Sequence, residues 1–244
     1  MSAHDVKLFG DQVAASRIET RFASLKASSL LRLVIEDLYP GRVALVSSFG
    51  ADAAALLHMV SRVDARTPVI FVDTGQHFPE TLVYRDALVE TLRLENVIVA
   101  EPRQETLAQE DPEKFLFASD PERCCEIRKV RPLAEAMECY DAWITGRKGF
   151  QSVARSTLPL FEAEGERVKV NPLVGWNASD VLNYIREAGL PRHPLVAKGF
   201  PSIGCLPCTS AVRPGEDERA GRWRGRAKTE CGIHLGPLNA GADI

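Results

Sequence analysis

Short apolar runs alternate with amphipathic stretches over most of this chain. Val43-Ala44-Leu45-Val46 is a β-rich apolar segment, Ser47-Ser48-Phe49-Gly50-Ala51-Asp52 a turn, and Ala53 to Val60 a helix. The same succession returns: Val69-Ile70-Phe71-Val72 reads as a strand and Asp73-Thr74-Gly75-Gln76-His77 as a loop. Pro79 to Leu94 then reads as a helix with proline in its first turn, and Val97-Ile98-Val99-Ala100 as a third strand. Strands alternating with helices predict an α/β fold, a mostly parallel twisted sheet with helices on both faces. Such sheets bind ligands outside the carboxyl ends of their strands, where residues 47–52 and 73–77 fall.

Either side of this unit the pattern is plainer. Residues 1–15 form a loose lead-in, and Ala14 to Leu38 predicts one or two helices broken near Ser28-Ser29. Pro121-Glu122 opens a helix running to about Met137, and Ala142-Trp143-Ile144-Thr145 is a further strand. Phe161 to Val170 predicts a hairpin turning at Gly165, and Ser179 to Ala188 a helix with Gly189 just past its end. From Leu190 the chain is rich in proline and glycine. We expect one α/β domain over residues 16–214 and a mobile C-terminal tail over residues 215–244.

Composition narrows the class. The chain has 244 residues, 45% apolar and 26% charged, with a formal net charge of −3. That balance gives no global case for nucleic-acid binding. No apolar run reaches the roughly 18–20 residues of a membrane span, and the N-terminus lacks a secretion-signal core, so the cytoplasm is the expected location. In that compartment its six cysteines point to metal or redox chemistry rather than structural disulfides.

Four of the six form a candidate ligand set. Cys124-Cys125 lies among Arg123, Arg128, Lys129 and Arg131, and Cys205-Leu206-Pro207-Cys208 follows about eighty residues on. Four thiolates suffice for zinc or for an iron–sulfur cluster; four buried thiols without function is the bland alternative. Cys139, alone at a helix end, reads as core filler. Cys231 lies between Lys228 and His234, and neighbouring cations would raise its thiolate population. It is a candidate nucleophile on an arginine-rich tail, or else a spectator thiol.

The weaker signals concern anions. Ser47-Ser48-Phe49-Gly50 offers hydroxyls, a glycine and a helix N-terminus, without matching a Walker or dinucleotide motif. Arg147, Lys148 and Arg155 either pair with phosphate or sulfate oxygens or form a solvated basic loop; Arg219 and Arg222 pose the same choice. His77 and His193 read as structural. Together these residues describe a small anionic nucleotide bound next to thiol chemistry.

At that point the chain resembles the assimilatory adenylyl-sulfate (APS) and phosphoadenylyl-sulfate (PAPS) reductases, which share the PP-loop adenine-nucleotide fold. The likeness runs from about Val43 to His234. It rests on Cys124-Cys125 with Arg128-Lys129, on Cys205/Cys208, and on Glu230-Cys231-Gly232-Ile233-His234. The chain departs from many members at Gly146-Arg147-Lys148-Gly149-Phe150-Gln151-Ser152, where they carry Arg-Arg-Asp-Gln. The resemblance implies that Cys124, Cys125, Cys205 and Cys208 hold a 4Fe–4S cluster, which is typical of members that reduce APS. It implies that Cys231 attacks the sulfate sulfur, expelling AMP, and that thioredoxin or a similar dithiol protein then releases sulfite. Lys129, Arg155, Arg219, Arg222 and His234 match groups that hold the phosphosulfate. Ser47, Ser48, Phe49 and Gly50 match the PP-loop, and Asp73, Thr74 and Gly75 the loop beside the nucleotide. Relatives form homo-oligomers. The rivals are PAPS reduction by the same mechanism, a tRNA-thiolating PP-loop ATPase whose Ser-Gly-Gly loop is absent, and a non-catalytic zinc-stabilised module.

Overall fold

The computed structural model describes residues 19–234. Six strands form one sheet: β1 (Val43–Val46), β2 (Val69–Val72), β3 (Val97–Ala100), β4 (Ala142–Ile144), β5 (Phe161–Glu164) and β6 (Arg167–Val170), in the order β3-β2-β1-β4-β6-β5. Every pairing is parallel except the β5–β6 hairpin, which turns at Gly165 with φ +59°. Strand order reverses between β1 and β4. A crevice opens at such a switch point because the connections on either side leave in opposite directions.

The helices are α1 (Ala27–Arg32), α2 (Ala53–Val63), α3 (Pro79–Leu92), α4 (Gln104–Glu110), α5 (Leu116–Ser119), α6 (Pro121–Cys125), α7 (Arg131–Ala136) and α8 (Ala178–Glu187). Successive side chains of a strand point to opposite faces. Val43, Leu45, Val69, Phe71 and Ile144 accordingly pack with Leu30, Leu31, Leu56, Leu57, Val60 and Leu88 of α1–α3. Ala44, Ile70 and Trp143 pack on the other side against Leu133, Ala134 and Met137 around α7. Both faces of β1, β2 and β4 are covered, which is why these strands read as continuous apolar runs.

Two expected boundaries shift. Ser28 and Ser29 lie inside α1, in its first turn, where serine is well tolerated; the chain breaks earlier, at residues 23–26. The helix opened by Pro121 does reach Ala136, but Glu126–Val130 is wound as a π-helix between α6 and α7. Pro132 supplies the reason. It has no N–H for the carbonyl of Arg128, and its ring crowds that oxygen, so the turn widens.

Cys139 is exposed, not core, because it falls in the turn between α7 and β4. No described helix is long and apolar enough to cross a membrane.

His193 is the structural residue expected. The Leu195 N–H donates to its Nδ1 at 3.1 Å, so Nε2 carries the proton and faces Thr81 Oγ1 at 3.0 Å. Burial at 1% exposure pushes its pKa down to about 4. The unfolded chain therefore takes up this proton first, and stability falls as pH drops from about 6.5 towards 4, by about 3 kcal/mol in all. In chemical unfolding curves, His193→Gln should flatten that part of the pH profile and lower stability near neutrality.

Candidate active site

The crevice at the switch point is walled by the ends of β1 and β4 and by the segment after Gly215. Its lining includes Ser47, Ser48, Gly50, Asp52, His77, Lys129, Arg147, Lys148, Arg155, Arg219, Arg222, Glu230, Cys231 and His234. Ser47 caps the turn after β1 by accepting the Phe49 N–H at 3.2 Å. Phe49 takes φ 47°, and its ring goes into the core edge-on to Phe71 at 5.6 Å. That choice turns Ser48 and Gly50 towards the crevice, so of the four residues matched to the PP-loop, three line it and Phe49 braces them.

The loop after β2 serves the cysteines instead. Thr74 Oγ1 lies 3.3 Å from Cys205 Sγ, and Asp73 Oδ1 accepts the Gly75 N–H at 2.9 Å. Asp73, Thr74 and Gly75 do not line the crevice; Val72 and His77 do.

Residues 215–234 return across the opening. Ser210 N–H donates to Gly221 O at 2.8 Å and Trp223 N–H to Cys208 O at 3.0 Å, which stitches this segment to the second cysteine pair. The approach is close: a Cβ on Gly221 would stand 2.0 Å from Ser210 O, so no other residue fits there without moving the backbone. The 3-10 turn Gly232–His234 then packs against the π-helical stretch of Glu126–Val130. The His234 ring lies parallel to Trp143, with centroids 5.8 Å apart.

A buried charge network holds this floor. Trp143 Nε1 donates to Glu164 at 2.6 Å, and Lys169 bridges Glu162 and Glu164 at 3.1 and 2.7 Å with its ammonium 4.7 Å from the Trp143 ring centroid. Arg147 bonds Glu162 at 2.7 Å, and Lys148 bonds Asp52 at 3.1 Å. Arg147 and Lys148 are thus buried, not a solvated loop. Their partners sit 15 and 96 positions away, which no local pattern could reveal. Burial, then the cations Arg147, Lys169, Arg155 and Arg219, hold the His234 imidazole well below its ordinary pKa, so it is neutral. Its Nδ1 is buried without a partner.

Around Cys231 the cations converge. The neighbouring Cys125 favours the Cys231 charge most, burial opposes it, and Lys129, the Ile233 N–H and Arg222 add to the favourable side. The net direction is down for Cys231 and up for Cys125. Lys129 is half-buried in the crevice wall; burial works against its charge, yet Cys205, Cys231 and Cys125 hold it protonated. Arg222 crosses flat over Gly204, where a Cβ would come within 2.3 Å of its guanidinium, and its Nε is buried without a partner. Arg155 and Arg219 both bond Glu230. All five residues matched to the phosphosulfate, Lys129, Arg155, Arg219, Arg222 and His234, therefore meet at one place with Cys231.

Of the four cysteines in the candidate ligand set, Cys125 and Cys205 border Lys129, and Cys124 neighbours Cys205 and Cys208. None of the described cysteines is in a disulfide. Burial pushes Cys124 up to about 11, with Arg128 opposing and Cys205 and Cys208 adding to the rise.

Fold and site together define a PP-loop-like α/β protein with a buried cysteine in a crevice lined by cations. A family model described as the phosphoadenosine phosphosulfate reductase domain matches residues 42–211. Proteins named adenosine 5'-phosphosulfate reductase are 50% identical in Chelativorans sp. (94% of this chain and 94% of that protein) and 41% identical in Streptomyces coelicolor (90% and 93%). A solved phosphoadenylyl-sulfate reductase from Candida auris superposes with TM-score 0.71 at 25% identity, covering 83% of this chain and 98% of its own. Yeast FAD synthetase shares the fold alone, at TM-score 0.52 and 13% identity over 86% of this chain and 77% of its own. The chain belongs to the APS/PAPS reductase family, alongside relatives named adenosine 5'-phosphosulfate reductase.

Proposed function

We propose that this protein reduces adenosine 5'-phosphosulfate to sulfite and AMP in sulfate assimilation, with Cys231 as the nucleophile and a dithiol protein such as thioredoxin as reductant. The observation that carries this reading is the meeting of Cys231 with Lys129, Arg155, Arg219 and Arg222 in one crevice. A thiolate approaching a sulfate is repelled by its oxygens; two unit charges 4 Å apart interact by about 4 kcal/mol at an effective dielectric near 20. Fixed cations around the oxygens remove that barrier and position the sulfur.

The Cys231 thiolate attacks the sulfate sulfur, and the sulfur–oxygen bond to the phosphate breaks with its electron pair leaving on AMP. Cys231 then carries the sulfonate. A thiolate of the reductant attacks Cys231 Sγ, sulfite departs with the bonding pair, and the second thiol of the reductant resolves the mixed disulfide. Sulfur falls by two oxidation units, and both electrons come from thiols. Cys231 is 9% exposed in the closed arrangement, so residues 215–234 must lift between the two half-reactions.

The donor set of Cys124, Cys125, Cys205 and Cys208 suits a 4Fe–4S cluster: soft thiols, free of disulfides, with the Thr74 hydroxyl beside one sulfur and Arg128 and Lys129 nearby. When bound, the cluster would contribute charge and polarisation next to Lys129 without changing oxidation state.

Incubating the anaerobically purified protein with APS and digesting it tests the reading. A sulfonate on the Cys231 peptide, appearing with APS in preference to PAPS and removed by reduced thioredoxin, is the expected result. A clear preference for PAPS, or an adduct on another residue, would overturn it.

A further inference from the structure

Glu230, next to the nucleophile, is an acid in a site built for anions. It is not on the exterior: it lines the crevice, and its side chain is 15% exposed. Its Oε2 accepts from Arg155 Nε at 2.7 Å, and its Oε1 from Arg155 Nη2 at 2.8 Å, Arg219 Nη2 at 3.1 Å and the Cys231 N–H at 3.0 Å. Four N–H donors thus converge on one carboxylate. The paired Arg155 contact is the fork geometry by which arginine takes up a planar oxyanion. By contrast Arg222 keeps an unpartnered Nε in the same crevice. The donors are therefore divided, one unpartnered and others already filled by the protein's own acid.

We infer that Glu230 is an internal oxyanion, a latch that occupies Arg155 and Arg219 in the free protein and yields them to the anionic group of the nucleotide. The inference rests on the reading of the crevice as a nucleotide phosphosulfate site. In the free protein, without a counter-anion, two buried guanidiniums would face each other across the crevice and repel. Glu230 neutralises them and, through the Cys231 N–H, holds the adjacent thiol inside. An incoming oxyanion and the Glu230 carboxylate cannot both keep the same N–H groups. Binding therefore weakens the anchor of residues 215–234 on the floor of the site. A sulfonate left on Cys231 after AMP departs continues the competition, since it adds an anion one residue from Glu230. The latch thus links the charge held in the crevice to the release of the segment that must carry Cys231 out to a reductant. Glu230 acts here as a positioning residue, exchanging no proton or bond with the substrate.

Glu230→Gln separates this from a plain structural brace. The amide keeps the shape and can still accept a hydrogen bond, but loses the charge that competes. With ADP as probe, isothermal titration of the full-length, cluster-loaded protein should show about tenfold tighter binding in the variant. Without ligand, iodoacetamide should modify Cys231 about tenfold faster, scored on the Cys231 peptide by mass spectrometry. A brace predicts the opposite for ADP, because loosening the arginines weakens every ligand they hold. Unchanged or weaker ADP binding in Glu230→Gln overturns the latch while leaving the nucleotide site standing. Failure of the unaltered protein to bind ADP overturns the nucleotide reading, and the latch with it. Should Glu230→Gln not fold, Glu230→Asp carries the test: the charge stays but its reach shortens, so ADP binding should again tighten, and weaker binding again overturns the latch.

Discussion

Cys231→Ser should abolish sulfite formation, with kcat falling by about 10^4 or more, while the protein stays folded. The hydroxyl of serine is held protonated at any working pH, so the feature that makes Cys231 a nucleophile disappears. That feature is built by the surroundings that persist with the cluster bound: Lys129, the Ile233 N–H and Arg222 favour the Cys231 charge. Serine keeps nearly the same volume at a 9% exposed site, so the packing of Gly232–His234 on the helix is retained. The expected stability change is about 1 kcal/mol or less. Peptide mass spectrometry after incubation with APS should find no sulfonate, and the cluster colour should persist because Cys231 is not among its proposed ligands. If Cys231→Ser still turns over, the nucleophile lies elsewhere.

Lys129→Ala should lower kcat/KM by about 10^2–10^3-fold, or roughly 3–4 kcal/mol of transition-state stabilisation. Lys129 is the cation held charged by Cys205, Cys231 and Cys125 together, two candidate cluster ligands and the nucleophile. Its removal takes away a charge that favours the thiolate, so the Cys231 pKa rises. The rate of alkylation by iodoacetamide should then reach half its maximum at a higher pH in the variant than in the parent. A purely structural role for Lys129 would destabilise the fold without moving that midpoint. Lys129→Arg should restore part of the midpoint shift and less of the rate, since a planar fork cannot replace a compact ammonium in the same space.

Much of this site was legible before any coordinates. The Cys124-Cys125 pair, the Cys205/Cys208 pair and the Glu230-Cys231-Gly232-Ile233-His234 run are short and chemically loaded, so spacing and residue type carry them. Strands β1, β2 and β4 were equally readable, because burial on both faces makes each a brief apolar run between polar turns, and β5 and β6 were readable as a hairpin from the turn at Gly165. What stayed hidden was which polar residues turn inward. Arg147 and Lys148 look like a solvated pair until Glu162 and Asp52 are seen opposite them. Phe49 sits amid ligand-facing residues, yet φ 47° sends its ring to the core. Trp143 reads as one more strand residue, and its service as the platform for His234 depends on a contact across more than ninety positions.

The sequence by itself therefore determined the class of fold, the positions of the thiols and the presence of many cations, because hydrophobic periodicity and local motifs are properties of neighbours in the chain. Only the tertiary structure decided which cations are free. Glu230 shows the difference. In the sequence it is one letter of a motif beside a cysteine. In the fold it fills Arg155 and Arg219, residues 75 and 11 positions away, while Arg222 keeps a buried Nε without a partner. Whether a charge is spent or available depends on distance in space and on burial, and chain order specifies neither.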